Sequence, residues 1–212
     1  MERVARIVED DPAPRKAVVL SACRGVTDAL LTLVALAEQQ DPSLEDRIRE
    51  LRDRHFGLAR ELLSGPLCDE FTAELDRDCA DVAGILQTVR LVRSASTTMR
   101  DLIAGYGEIW STRVFERLLR SRGRAAGHVR WVDARRVLLV EWGPLGPSVR
   151  WDSSLAALRR ELPADFAGTA VVTGFIATDT QGLQTTLGRN GSDFSASIFG
   201  AMLEAAEIVI WT

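Results

Sequence analysis

The sequence predicts an α/β protein: a three-layer αβα sandwich with a mainly parallel central sheet. Three observations predict it. Short β-branched or apolar runs, such as "AVVL" at 17–20 and "TAVVT" at 169–173, alternate with longer stretches of three-to-four-residue apolar spacing. Strands alternating in this way with helices build a parallel sheet covered on both faces. A chain of 212 residues with 46% hydrophobic and 26% charged content is long and apolar enough to bury one sizeable core.

The elements follow in order. Val4, Ile7 and Val8 give the first residues a helical spacing, and "PRKAVVLSA" (14–22) reads as a buried strand ending near Ser21. A helix follows Gly25, with Thr27 or Asp28 as its N-cap. Residues 44–64 form a second helix with Leu44, Ile48, Leu51, His55, Leu58 and Leu62 along one side, and a third runs from about Cys68 to Val92. A polar break at 94–98 precedes a long helix ending at Gly123, a good C-cap residue. Gly105 and Gly107 lie inside that helix, where each costs about 1 kcal/mol against alanine. Either a ligand approaches the backbone there, beside Glu108, or glycine lets the helix pack closely.

"AAGHVRWVDA" and "RRVLLVE" are two strand candidates, followed by a Gly/Pro-rich loop at 143–147. "WDSSLAALRREL" is a helix that Asp152 or Ser153 can cap, and "GTAVVTGFIATD" (168–179) holds the clearest strand, five apolar or β-branched residues opening onto Gly174. The last helix spans roughly 192–205, and "EIVIWT" (207–212) reads as a buried strand.

Composition excludes several classes. No apolar run approaches the roughly 18–20 residues of a membrane span, and the charged N-terminus is no secretory signal. Cys23, Cys68 and Cys79 have no metal-ligand spacing, and their sparse, odd count fits a reducing cytoplasm. His55 and His128 are too few for a zinc site or a Ser-His-Asp triad and read as surface or helix-edge residues. Of the 26 basic residues only Lys16 is a lysine; 30 acids oppose them and the net charge is −4. Arginine and acid alternate along the helices as solvated faces, and no basic footprint suggests nucleic acid.

Ligands of parallel α/β sheets bind beyond the C-terminal strand ends. "SACRGVT" and "TGFIATDTQGLQTTLGRNGSD" converge on that edge, with Glu108 within reach if its helix packs there. In "GRNGSD" the glycines permit close backbone approach, Ser192 and Asp193 open a helix whose free amides attract anions, and Arg189 adds a planar fork of donors. The stretch is an anion-binding loop or a capped turn with a solvated arginine. Neither phosphate-loop glycine pattern occurs, and Lys16 enters a strand. Cys23 is a small filler or a reactive thiol.

The blocks "VVLSACRGVTDALLTLVALAE", "GYGEIWSTRVF" and "VVTGFIATDTQGLQTTLGRNGSDFSASIFGAMLEAAEIVIWT" resemble, in order and over nearly the whole chain, the catalytic domain of aspartokinases. "WVDAR" and "GRNGSDFSASIF" look closest to bacterial bifunctional aspartokinase/homoserine dehydrogenases. The resemblance implies the amino-acid-kinase fold. It also implies transfer of the ATP γ-phosphoryl to the β-carboxylate of L-aspartate, giving 4-phospho-L-aspartate, the first step toward lysine, threonine and methionine. ATP and Mg²⁺ are the companions expected of the complete enzyme, and a homodimer and a fused homoserine dehydrogenase the expected partners. By the same resemblance Glu108 meets the substrate ammonium and Arg189 clamps the α-carboxylate, while Ser21, Thr27 and Ser192 lie near the substrate. Asp193 is the catalytic residue, organising the phosphate-binding lysine, and Thr212 meets the nucleotide; no metal ligand is expected.

The chain departs from the family in two places. The family's Lys-Phe-Gly-Gly-Thr-Ser strand is absent, as is the nucleotide-binding half that follows Thr-Asp. The expectation is therefore a partial catalytic domain over 1–212, incomplete at both ends, that keeps the amino-acid site. Losing one fixed donor to the transferring phosphoryl typically costs about 10²–10³ in rate, so activity of the chain alone is expected to be impaired or lost. The alternative is a non-catalytic dimerisation or interaction domain retaining the fold.

Overall fold

The computed structural model describes residues 1–125, 127–144, 146–188 and 190–211. Helix α1 (Glu2–Asp10) buries Ala5 and Val8 and leads to strand β1 (Arg15–Leu20). Lys16 of β1 donates from Nζ to the Val8 and Asp11 carbonyls, both at 2.7 Å. These are carbonyls that the end of a helix leaves free, and a cation there also complements the helix dipole. The lone lysine thus caps α1.

Three helices follow: α2 (Val26–Glu38), α3 (Leu44–Leu62) and α4 (Pro66–Val92). The cap expected at Thr27 or Asp28 falls instead on Gly25. Its φ of 74° is a left-handed conformation that glycine adopts without cost, and no side chain caps the helix. His55 is not at a surface. It is 1% exposed, its Nδ1 lies 2.9 Å from the Leu51 carbonyl, and its ring meets Trp110 edge-on at 4.8 Å.

Helix α5 (Thr97–Arg122) is the axis of the molecule. Ser96 caps it by accepting from the Met99 amide, and left-handed Gly123 ends it as expected. From Ile103 to Leu119 all but Arg113 is buried, because α5 packs on α2 and α4 on one side and on the sheet on the other. Its charged residues are therefore not a solvated face. Arg113 and Arg117 pair with Asp78 and Glu74 of α4 at 2.8 Å each, and Trp110 Nε1 donates to Asp78 at 3.0 Å.

The sheet comes in two parts. One is wholly parallel, in the order β1-β5-β2, with β2 at His128–Val132 and β5 at Gly168–Thr173. All six residues of β5 are buried, which is why the run reads as continuously apolar. With α5 on one face and α7 (Gly191–Met202) reaching β1, the layers are those expected. The other sheet is mixed, in the order β4-β3-β6-β7: β3 (Leu139–Gly143), β4 (Gly146–Val149), β6 (Ile176–Asp179) and β7 (Gln184–Thr186). Only β3 and β6 run parallel in it.

Four expectations are corrected here. The strand in 168–179 does open onto Gly174, but past Phe175, whose φ is 64°, the rest of the stretch is a second strand in the other sheet. In the Gly/Pro-rich stretch read as a loop, Gly143 ends β3 and Gly146 and Pro147 start β4, its antiparallel partner. Helix α6 (Trp151–Glu161) starts after Arg150 with no side-chain cap; Ser154, rather than Asp152 or Ser153, bonds Leu139, through its Oγ. The strand expected at 207–212 does not form in its described residues. Helix α7 ends in a Schellman turn, with Ala205 N donating to Gly200 O at 2.9 Å and Glu204 at φ 51°. That turn brings Ile208 onto Gly200 and leaves Val209, Ile210 and Trp211 exposed.

Candidate functional site

The C-terminal ends of β1 and β5 meet in a tight junction. Gly174 N donates to Leu20 O at 2.9 Å. A Cβ at Gly174 would lie 2.9 Å from both that oxygen and Ser192 Oγ, so only glycine lets the first turn of α7 sit there. Ser192 is thereby brought to the point where β1 hands over to Ser21. The chain then meets α5. A Cβ at Gly107 would stand 2.7 Å from the Ala22 Cβ, and one at Gly105 would run into Gln184 and Ile176. Both glycines are explained by close packing of α5, and at Gly107 that packing brings the loop onto Glu108.

The contact with Glu108 is polar. Ala22 N donates to its Oε1 at 3.2 Å, and Ser111, one turn on, donates from Oγ to Ser21 O at 2.7 Å. Glu108 is 3% exposed, and its Oε2 is closed off from solvent with no hydrogen-bond partner among the described residues. Burial pushes its carboxyl from the ordinary 4.5 up to about 7; the Ala22 N–H pulls the other way. A buried carboxylate with one free oxygen is a poor structural element and a good receptor for a cation that desolvates with it.

Strand β7 and the segment after it are fixed from three sides. Asp101, in the first turns of α5, accepts from Thr185 Oγ1 (3.1 Å), Thr186 N (3.2 Å) and Thr186 Oγ1 (3.3 Å). Leu187 N donates to Phe175 O at 2.7 Å. Ser195 of α7, fully buried, accepts from Phe175 N and donates to Gly191 O, both at 2.9 Å. Asn190 precedes the helix at φ 57°. Asp193 is exposed in the first turn of α7, and Thr27 is half-buried in the first turn of α2.

Of the residues singled out in the sequence, the structure joins Ser21, Glu108 and Ser192 at one strand edge, through the Ser21–Ala22 peptide and Gly174. It carries Thr27 and Asp193 on the helices that start there. Arg189 and Thr212 lie outside the described residues. Sequence reasoning missed Asp101, Ser111 and Ser195, polar residues inside helices. Their one signal was a small or short polar side chain among neighbours with apolar spacing.

A separate cavity of about 600 Å³ lies between α1, α3 and α5, bordered by Ser21, Cys23, Arg54, His55, Ser111 and Phe115. Glu108, Ser192 and Asp193 do not border it. Burial raises the Cys23 thiol above its ordinary value, as a filler rather than a nucleophile requires. Among the described residues no cluster of three or more His, Cys, Asp or Glu is placed to hold a metal ion, and no helix is long and apolar enough to cross a membrane.

Comparison with known proteins gives a consistent result. The model of the amino acid kinase family matches residues 1–212. Bifunctional aspartokinase/homoserine dehydrogenase 1 of Zea mays, chloroplastic, is 34% identical over 216 residues, covering all of this chain and 23% of the relative. Lysine-sensitive aspartokinase 3 of Escherichia coli is 33% identical, covering all of this chain and 45% of the relative. The crystal structure of E. coli aspartokinase III with aspartate and ADP superposes with a TM-score of 0.84 at 27% identity, again over all of this chain and 45% of that one. The chain thus spans about a quarter of its bifunctional relatives and under half of the monofunctional one.

Proposed function

The chain belongs to the amino acid kinase family, and on that premise we propose that it is the amino-acid-binding part of an aspartokinase. The reaction is transfer of the γ-phosphoryl of ATP to the β-carboxylate of L-aspartate, giving 4-phospho-L-aspartate. The observation that carries the reading is Glu108: a buried carboxylate, at a strand edge, with one oxygen lacking a partner among the described residues. A substrate ammonium supplies that partner and holds the carboxylate ionised at neutral pH. The similarity to an aspartokinase whose structure holds aspartate and ADP supports the same assignment.

In this reading Ser21, Thr27 and Ser192 offer hydroxyls around the acceptor, and Arg189 takes the α-carboxylate in a two-bond fork. Asp193 organises the phosphate-binding lysine of the complete enzyme, and Thr212 belongs to the nucleotide side. The chain's own contribution is to position the acceptor carboxylate, which is much of what phosphoryl transfer asks of a protein. Mg²⁺ commonly rides on nucleotide phosphates with only one or two protein carboxylates, so an amino-acid-binding part need not gather a metal cluster. The parent protein is proposed to be cytoplasmic and bacterial, with a homodimeric assembly and a fused homoserine dehydrogenase, the second activity in the maize relative's name.

Calorimetry with L-aspartate and with succinate tests the reading. L-aspartate binds, succinate, which lacks the ammonium, does not, and Glu108→Gln abolishes binding. Equal binding of both acids, or of neither by the folded chain, overturns it.

A further inference from the structure

Glu108 and Ser111 stand three residues apart on α5, and both act on one peptide group. Ser111 Oγ donates to Ser21 O at 2.7 Å, and the N–H of that same Ser21–Ala22 peptide donates to Glu108 Oε1 at 3.2 Å. Ser111 Oγ also lies 3.2 Å from Glu108 O, but a hydroxyl carries one proton, and the shorter contact takes it. Ser111 is 2% exposed, and the bond it gives the Ser21 carbonyl is the shorter of its two contacts. A peptide plane held at its oxygen cannot rotate freely. Turned over, it would present its carbonyl to the carboxylate, a repulsive contact in a buried setting.

We propose that Ser111 is a positioning residue of the substrate site: by holding the Ser21 carbonyl it keeps the Ala22 N–H on Oε1 of Glu108 and so reserves Oε2 for the ligand cation. The assignment of that cation as a substrate ammonium rests on the function proposed above; the clamp itself does not. The carboxylate is presented as an asymmetric receptor, with one oxygen occupied from the loop and the other open. A cation arriving at Oε2 meets a carboxylate already oriented, and binding does not have to order it.

Among the described residues few charges surround it. The loop brings Cys23, whose thiol burial holds above its ordinary value, outside the range in which Glu108 titrates. From α3, Arg54 donates to the Arg24 carbonyl at 2.7 Å. From α2, the residues against Gly107 are the apolar Val26 and Leu30.

Nuclear magnetic resonance on the whole chain tests the clamp without any ligand. In the wild type the Ala22 amide resonance follows the Glu108 carboxyl titration with the same midpoint. Ser111→Ala uncouples the two and moves the Glu108 midpoint upward, because the N–H donor no longer favours the ionised form. Ser111→Thr, which keeps the hydroxyl, restores both. An Ala22 amide that ignores the Glu108 titration in the wild type overturns the proposal without any variant. So does a Ser111→Ala midpoint equal to that of the wild type. With L-aspartate, Ser111→Ala weakens binding about tenfold, the weight of one charge-assisted hydrogen bond. Undiminished binding counts against the clamp's role in the site. A wild-type chain that keeps the titration coupling yet ignores L-aspartate overturns the function proposed above and leaves the clamp standing.

Discussion

The loop after β1 and the stretch from β7 into α7 meet at the same strand edge, and they are fastened by different kinds of group. The first is held to α5 by Ser111 and by Glu108, a carboxylate with an oxygen to spare. The second is held by Asp101, Ser195 and the Phe175 backbone, with three bonds to Asp101 alone. The fastening of one side is thus also its candidate receptor, and ligand and loop share a carboxylate. The other side is secured independently of anything it binds. A site built this way can respond at one wall while the opposite wall stays put.

The largest expected effect separates the two fastenings by pH. Burial raises the Glu108 carboxyl from 4.5 to about 7, so between those values the folded chain keeps a proton that the unfolded chain has released. The contribution of Glu108 to stability is fully present below that window, is lost as pH rises through it, and is absent above. The full drop is about 3 kcal/mol. Denaturant melts from pH 4 to 8 measure it, and Glu108→Gln removes this slope; an unchanged slope in that variant would mean another group titrates. Asp101→Ala leaves the slope intact.

Next is Gly174→Ala, which strikes both sides at once by pressing a methyl on Leu20 O and Ser192. Overpacking of this kind costs about 2 kcal/mol in urea unfolding. Full wild-type stability would show that the junction yields more easily than its spacing implies.

Asp101→Ala costs about 1.5 kcal/mol by leaving the buried Thr185 and Thr186 groups without an acceptor. Hydrogen exchange then speeds at 186 and 187 and stays slow at Ala22. Acceleration at both places would dissolve the distinction between the two walls. The smallest effect is a control far from both. Arg150→Ala breaks an exposed pair with Glu141, 2.8 Å apart, and shifts stability by no more than about 0.5 kcal/mol.

Much of the parallel half was legible because its signals are local. β5 is buried along its whole length and reads as an apolar run, and α5 ends at a glycine that its left-handed C-cap needs. The mixed half was not. β7 is three residues of Gln and Thr, β4 carries Gly and Pro, and both are too short to read as strands until β6 and β3 lie beside them. The break at Phe175 was hidden for a related reason. No turn residue stands at 175 itself; Ser195, twenty residues later, bonds the Phe175 amide. At the site, Glu108 was visible through its glycine neighbours, although those glycines serve packing. Ser111 and Asp101 were invisible because their partners lie 90 and 84 residues away.

The cap on α1 has a practical consequence. Lys16 is the single side-chain amine among 212 residues, and both of its bonds go to the end of one helix. Amine-directed reagents, from acylating labels to lysine cross-linkers, therefore have one side chain to attack. Their progress at Lys16 is a clock for how often the first helix lets go of the sheet.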